Sequence, residues 1–179
     1  LPMADLGTTL QWAPVFHASP DTWRVMVREG TIIGYWQYLW LTDEAYESVV
    51  RGEMRDSEIS VSHIDFPLVG YESSCRNLYL IMLGVDPQFH NPHTCGLLVQ
   101  SFVEHFRASA ALGVLPDRAA AKAQTQQGLD LCIKFGFAPV LHSTLYPGNL
   151  PQLLTIDGSI EVWTRNLTHP APPRTARSR

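Results

Sequence analysis

The stretch from Leu78 to Phe106, LYLIMLGVDPQFHNPHTCGLLVQSFVEHF, changes its apolar period part-way along, and that change limits what the chain can fold into. Leu78 to Val85 is an apolar run of strand length, too short to span a membrane. Asp86 and Pro87 stop the ladder, because proline has no N–H to donate. After a loop over Gln88 to Thr94, the residues Leu97, Leu98, Ser101, Phe102, His105 and Phe106 fall on one helical stripe. A strand that breaks into a loop and then opens a helix presents free backbone N–H groups to an anion. Such a turn holds a pyrophosphate without any dedicated basic residue.

The flanking segments supply the rest of an α/β domain. Trp23 to Arg28 alternates apolar and polar residues, as a half-buried strand does. Glu29-Gly30 makes a tight connection to a partner strand over Thr31 to Leu41. Gln11 to His17 is expected as a further strand ahead of this hairpin. Thr42-Asp43-Glu44 has the pattern of a helix cap, with the helix running to about Val50. Gly52 to Phe66 is unusually polar, and Pro67 to Asn77 is irregular. Beyond the central helix, Gly113 and Pro116-Asp117 mark an end and a turn. A helix follows over Gln126 to Phe135, capped by Gly136, and Phe137 to His142 begins another strand. Tyr146 to Asn149 is a turn, and Ile160 to Asn166 alternates as a closing strand. From Thr168 the chain is rich in proline and arginine, and such a tail cannot bury enough apolar area to offset its ordering entropy. Residues 1–167 therefore read as a single domain and 168–179 as a disordered tail, a division that suits a chain of 179 residues.

Two short motifs carry a resemblance. The strand ending in Val85-Asp86-Pro87, its short loop and the Gly96-Leu97-Leu98 that follows on a helix resemble the acyl-CoA-binding motif of the GNAT acetyltransferase superfamily. Leu131 to Phe137, LCIKFGF, is similar to that superfamily's LYEKLGF segment, roughly forty residues downstream as the family has it. The resemblance implies a mixed, mostly antiparallel central sheet, splayed at the CoA site and flanked by helices. It also implies a short strand over Arg118 to Thr125, where alanine by itself favours helix. The first motif departs from the family: His90, His93 and Cys95 stand where a basic or amide residue and two small residues are usual, and Gly96 falls one place late.

The implied activity is transfer of an acetyl or longer acyl group from acyl-CoA, as co-substrate, to a small-molecule or protein amine. Leu83, Gly84 and Val85 match the strand end that meets the pantetheine arm. His90, Asn91, Pro92, His93, Thr94, Cys95 and Gly96 match the pyrophosphate loop, and Thr125 the family's frequent asparagine before the next helix. Pro92 removes one N–H from that loop, while a protonated His90 or His93 would return positive charge. Cys132 stands where the family keeps the tyrosine that protonates the leaving thiolate; a small buried hydrophobe is the plainer account of it. The polar segment from Gly52 occupies the acceptor approach, which nominates Glu53 and His63 as bases, against the plainer account of a solvated loop. The alternative to an enzyme is a GNAT-like domain that binds or regulates without catalysis.

Other classes fit less well. A formal net charge of −4 argues against broad nucleic-acid binding, and no apolar run is long enough to cross a membrane. His90, His93 and Cys95 have zinc-ligand chemistry but no known zinc spacing and no fourth ligand nearby, so no metal is expected. Three cysteines without paired spacing and the absence of a signal-like start fit a reduced cytoplasm, and a homodimer stays open.

Overall fold

The computed structural model describes residues 8–65, 76–140, 150 and 152–157. Helix α1 covers Thr9–Ala18, the hairpin strands β1 and β2 cover Trp23–Arg28 and Thr31–Leu41, and α2 covers Asp43–Val50. The long central unit is β3, Asn77–Val85, followed by α3, Pro92–Ala111. Then come β4, Arg118–Ala123, and α4, Gln126–Lys134, with β5, Ala138–Pro139, and β6, Gln152–Asp157, completing the described elements.

The strands form one mixed sheet in the order β1-β2-β3-β4-β6-β5. Among the described strands only β3 and β4 run parallel, and the other neighbouring pairs are antiparallel. This is the α/β architecture expected from the central stretch. Helices α3 and α4 cover one face, where Trp36, Tyr38, Trp40 and Leu78 pack against Leu98, Phe102, Phe106 and Cys132. Helices α1 and α2 cover the other, where Leu39, Leu41 and Tyr79 meet Val15, Ala45, Tyr46 and Val49. The stripe on α3 is nearly the predicted one. Leu98, Phe102 and Phe106 are buried, and Ser101 and His105 bond to Trp36 and Tyr38, but Leu97 is exposed.

Local chemistry explains most element ends. Glu29 and Gly30 both take positive φ, 51° and 78°, which matches the hairpin's twist. Thr42 caps α2 by accepting the Ala45 N–H. The expected strand over Gln11 to His17 is a helix instead. Thr8 accepts the Gln11 N–H while the Gln11 side chain accepts the Thr8 N–H, and this reciprocal cap starts α1. The expected loop to Thr94 ends earlier, because Pro92 fits the first helical position behind an Asn91 cap.

Strand β4 forms despite its alanines. Ala119, Ala120, Ala121 and Ala123 are all buried in mid-sheet, where burial on two faces overrides propensity. Strand β6 lies in a segment from which the sequence signalled no element, and it precedes the predicted Ile160–Asn166 strand. That strand, the Tyr146–Asn149 turn, the tail from Thr168 and residues 67–75 lie outside the described residues. No described helix is long and apolar enough to cross a membrane.

Candidate functional site

The parallel pair at the centre of the sheet is closed at one end and open at the other. β3 and β4 are paired from Asn77 and Arg118 as far as Leu80 and Ala121. β3 continues against β2 to Val85 opposite Gly34, and β4 continues against β6 to Ala123 opposite Gln152. The two strands therefore part beyond Leu80. At the closed end Arg118 acts as a pin. Its guanidinium bonds Asn77 Oδ1 at 2.6 Å, Glu47 Oε1 and Asp43 Oδ1, and lies 4.5 Å over the Tyr46 ring.

A bulge sits where the strands part. Gln37 faces Met82 and Tyr38 faces Leu80, so Ile81 is the extra residue on β3. A bulge bends its strand and resets which face each side chain meets. Leu80, Leu83 and Val85 accordingly pack on the α3 side, although an unbroken alternation would have sent Leu83 and Val85 to the other face. From Ile81 to Val85 the side of β3 that faces β4 has no strand partner among the described residues. That strip of backbone is the first half of the site.

Helix starts supply the second half, since both helices that follow the parting strands begin at this end. Asn91 Oδ1 accepts the Thr94 N–H at 3.0 Å to cap α3, and Thr125 Oγ1 accepts the Gly128 N–H at 3.1 Å to cap α4. Their dipoles favour an anion in the opening. The cradle at α3 is nonetheless thinner than a glycine-rich one. Pro92 has no N–H, Thr94 gives its own to the cap and Cys95 gives its own to the Asn91 carbonyl at 3.0 Å. Among the described residues the His93 amide is left in that first turn. The His90 and His93 side chains are exposed, Cys95 is half-buried, and nothing lies within 4 Å of where a Cβ on Gly96 would be.

The nominated catalytic residues stand on different elements: Glu53 and His63 on the polar segment after α2, and Cys132 on α4 in the cluster that also takes in Leu83, Val85 and Ala123. Glu53 is held by Arg51 at 2.9 Å, and that hydrogen bond keeps its carboxyl below the usual carboxylate range. His63 accepts the Ser60 N–H on Nδ1 at 3.1 Å, so the basic nitrogen of the neutral ring is already committed. Cys132 is buried within the core on α4, and burial pushes its thiol up to about 11. Among the described residues no three His, Cys, Asp or Glu side chains come together as metal ligands.

Among the described charged side chains of the polar segment, Asp56 is the buried one. Asp56 accepts from Tyr79 Oη at 2.7 Å and pairs with Lys122 Nζ at 2.8 Å, with the Lys122 side chain only 2% exposed. Lys122 follows the last residue of β4 that is paired with β3, so this buried pair stands beside the point of parting, on the α1–α2 face. A lysine inside an alanine strand was the available sequence signal, since lysine is almost never buried unpaired.

Among solved structures, the chain resembles the GphF GNAT-like decarboxylase in complex with isobutyryl-CoA. The TM-score is 0.55 at 15% identity, over 87% of this chain and 86% of that one. The fold is that of the GNAT superfamily. Other structures similar to it are an agmatine N-acetyltransferase mutant in apo form, with TM-score 0.47 and 14% identity over 86% and 84% of the chains, and a mutant AtaT toxin bound to the C-terminus of the antitoxin AtaR, with TM-score 0.45 and 14% identity over 86% and 73%. No family model and no curated protein matches the chain. In this GNAT-like sheet the parted β3 and β4 form the splay that the two sequence motifs implied.

Proposed function

We propose that the protein is an acyl-CoA-dependent N-acyltransferase. Acetyl-CoA or a longer acyl-CoA is the co-substrate, and a small-molecule or protein amine is the acceptor. One observation carries this reading: the strands part beyond Leu80, beside unpaired β3 backbone and below two capped helix starts. The isobutyryl-CoA held by the GphF neighbour supports an acyl-CoA as the ligand. In this reading the pantetheine arm runs along Leu83, Gly84 and Val85, bonding to strand backbone as an added strand would. The pyrophosphate lies across His90 to Gly96, held by the His93 amide and the positive end of α3, with Thr125 at the second helix start. An N–H released beyond the bulge polarises the thioester carbonyl and stabilises its oxyanion. The amine nitrogen attacks that carbon, the C–S bond breaks, and the departing thiolate takes up a proton as the amine gives one to water. In this reading water takes that proton, since Glu53 is ion-paired with Arg51 and the acceptor nitrogen of His63 takes the Ser60 N–H.

A second reading, an acyl-CoA-binding domain without catalysis, is favoured by the thin cradle at Pro92 and those same committed bases. Thermal unfolding with acetyl-CoA, followed by a free-thiol assay over a panel of amines, separates the readings. Ligand at 100 times Kd should add about 2.7 kcal/mol. Stabilisation with amine-dependent thiol release supports the transferase, and stabilisation without release supports the binding domain. No stabilisation at all overturns both.

A further inference from the structure

Asp56 bonds a side chain from each of the two strands that part. Its Oδ1 accepts the Tyr79 hydroxyl of β3 at 2.7 Å, and its Oδ2 pairs with Lys122 Nζ of β4 at 2.8 Å. The register puts both contacts at the point of parting. Tyr79 opposes Ala120, Leu80 opposes Ala121 as the last pair, and Lys122 is the next residue on β4. Side chains alternate along a strand, so Lys122 shares a face with Ala120, which packs with Tyr79 in the core under α1 and α2. One carboxylate therefore spans the root of the opening, on the face that α3 and α4 do not cover.

The segment that carries Asp56 is itself held in place. Glu58 Oε2 accepts the Arg55 N–H at 2.6 Å, and the Ile59 N–H returns to the Asp56 carbonyl at 3.2 Å, closing a turn around the residue. The Gln11 side chain of α1 donates to the Ser57 carbonyl at 3.2 Å, Ile59 is buried, and Ile64 bridges to Leu41 at the end of β2. An apolar trio of the same shape would hold this core as well, since a buried ion pair adds little stability over hydrocarbon. What the polar trio adds is direction, because hydrogen bonds set lengths and angles that dispersion leaves loose.

We propose that Asp56 is a positioning residue for the acyl-CoA. It holds the roots of β3 and β4 at a set separation, and so fixes the width of the slot between them and the line of the Leu83 to Val85 backbone. This rests on acyl-CoA binding in the reading above. Asp56 acts through Tyr79 and Lys122 and does not touch the donor. The Ile81 bulge turns β3 away, and the carboxylate keeps the two strand roots from shifting around that bend. The N–H groups beyond the bulge then stay aimed at the pantetheine arm. A misplacement of about 1 Å far from the chemistry can cost about a hundredfold in rate, so a clamp at the root of the slot has a measurable reach.

A variant that loses the clamp and keeps the core tests the proposal. Asp56→Leu, Tyr79→Phe and Lys122→Met together replace the three polar groups with apolar ones of similar shape, so none of the three strands a charge or a donor. The unfolding temperature should stay near the parent's, while calorimetry shows acetyl-CoA binding weakened about tenfold or more. With an amine that supports thiol release, KM for acetyl-CoA should rise and KM for the amine should hold; a purely structural role would move neither at equal unfolding temperature. Should the triple variant not fold, Tyr79→Phe decides, because it cuts the β3 half of the clamp by a single oxygen atom. Its acetyl-CoA affinity should fall about threefold or more, the worth of one modest hydrogen bond, and parental affinity overturns the proposal. Parental acetyl-CoA affinity in a folded triple variant overturns the clamp and leaves the acyl-CoA reading. Weakened binding that comes only with a large fall in unfolding temperature assigns the trio to stability and overturns the clamp too. A parent that binds no acetyl-CoA overturns that reading and the clamp together.

Discussion

Lys122 and Asp56 show how much can depend on a single buried charge. Each ion satisfies the other, and Tyr79 adds a hydrogen bond to the carboxylate. Removing one partner leaves the other charged and dry. Lys122→Met should therefore lower stability by about 3–5 kcal/mol in urea titrations. Pairing it with Asp56→Leu should recover most of that loss, because no stranded charge remains. A single variant as stable as the parent would mean that water already reaches Asp56. Cys132 presents the opposite case. Its thiol is packed in the core and burial pushes it up to about 11, so it stays protonated and is a poor donor to a departing thiolate. Cys132→Ala should cost on the order of 1 kcal/mol and keep its turnover. A stable alanine variant with kcat reduced about a hundredfold would return the residue to the chemistry.

Among the elements, α3 is tied to the sheet through a polar contact inside an aromatic cluster. His105 Nε2 lies 2.8 Å from Tyr38 Oη and its ring sits against Trp36 and Phe106. Burial, with the positive charge of Arg24 added, lowers the His105 pKa. A group whose folded pKa is depressed binds its proton more readily when unfolded. Stability from this contact is thus full above the ordinary histidine range and is lost as pH falls below about 6.5. His105→Phe should flatten that acid limb of the unfolding-temperature profile; an unaltered limb would assign it to carboxylates. The sequence made this unit legible because the apolar period switches once, at Asp86-Pro87, and a switch of period has few structural meanings. Other elements were less legible for physical reasons. α1 is set by a reciprocal cap between Thr8 and Gln11, which outweighs a short β-like pattern. β4 could be assigned only by resemblance, since alanine becomes strand here through its place in mid-sheet. The polar segment was less legible, because the sequence says that Gly52 to Phe66 is polar but not that Asp56 is the buried one among its described charged side chains.

For the whole molecule, one end of the parallel pair is pinned and the other is held apart. Arg118 ties Asn77 to α2 at the closed end, and the Ile81 bulge turns β3 away at the open end. Gly34 tests whether the open end is the site. It pairs with Val85, and a Cβ there would come 3.0 Å from the Gly84 carbonyl oxygen and 3.3 Å from Val85 Cα, both backbone atoms. Gly34→Ala must therefore shift the end of β3. The strain should cost about 1–3 kcal/mol, and a displacement of that strand should weaken acetyl-CoA binding about tenfold or more if its backbone holds the pantetheine arm. Gly96→Ala tests the loop at the start of α3 instead, because the added methyl would meet open space on a helix. It should gain up to about 1 kcal/mol from helix propensity. Calorimetry on both variants then separates stability from binding. Weakened acetyl-CoA binding in a folded Gly34→Ala would support a ligand along β3. Parental affinity in a folded Gly34→Ala would move the ligand off Leu83 to Val85 altogether.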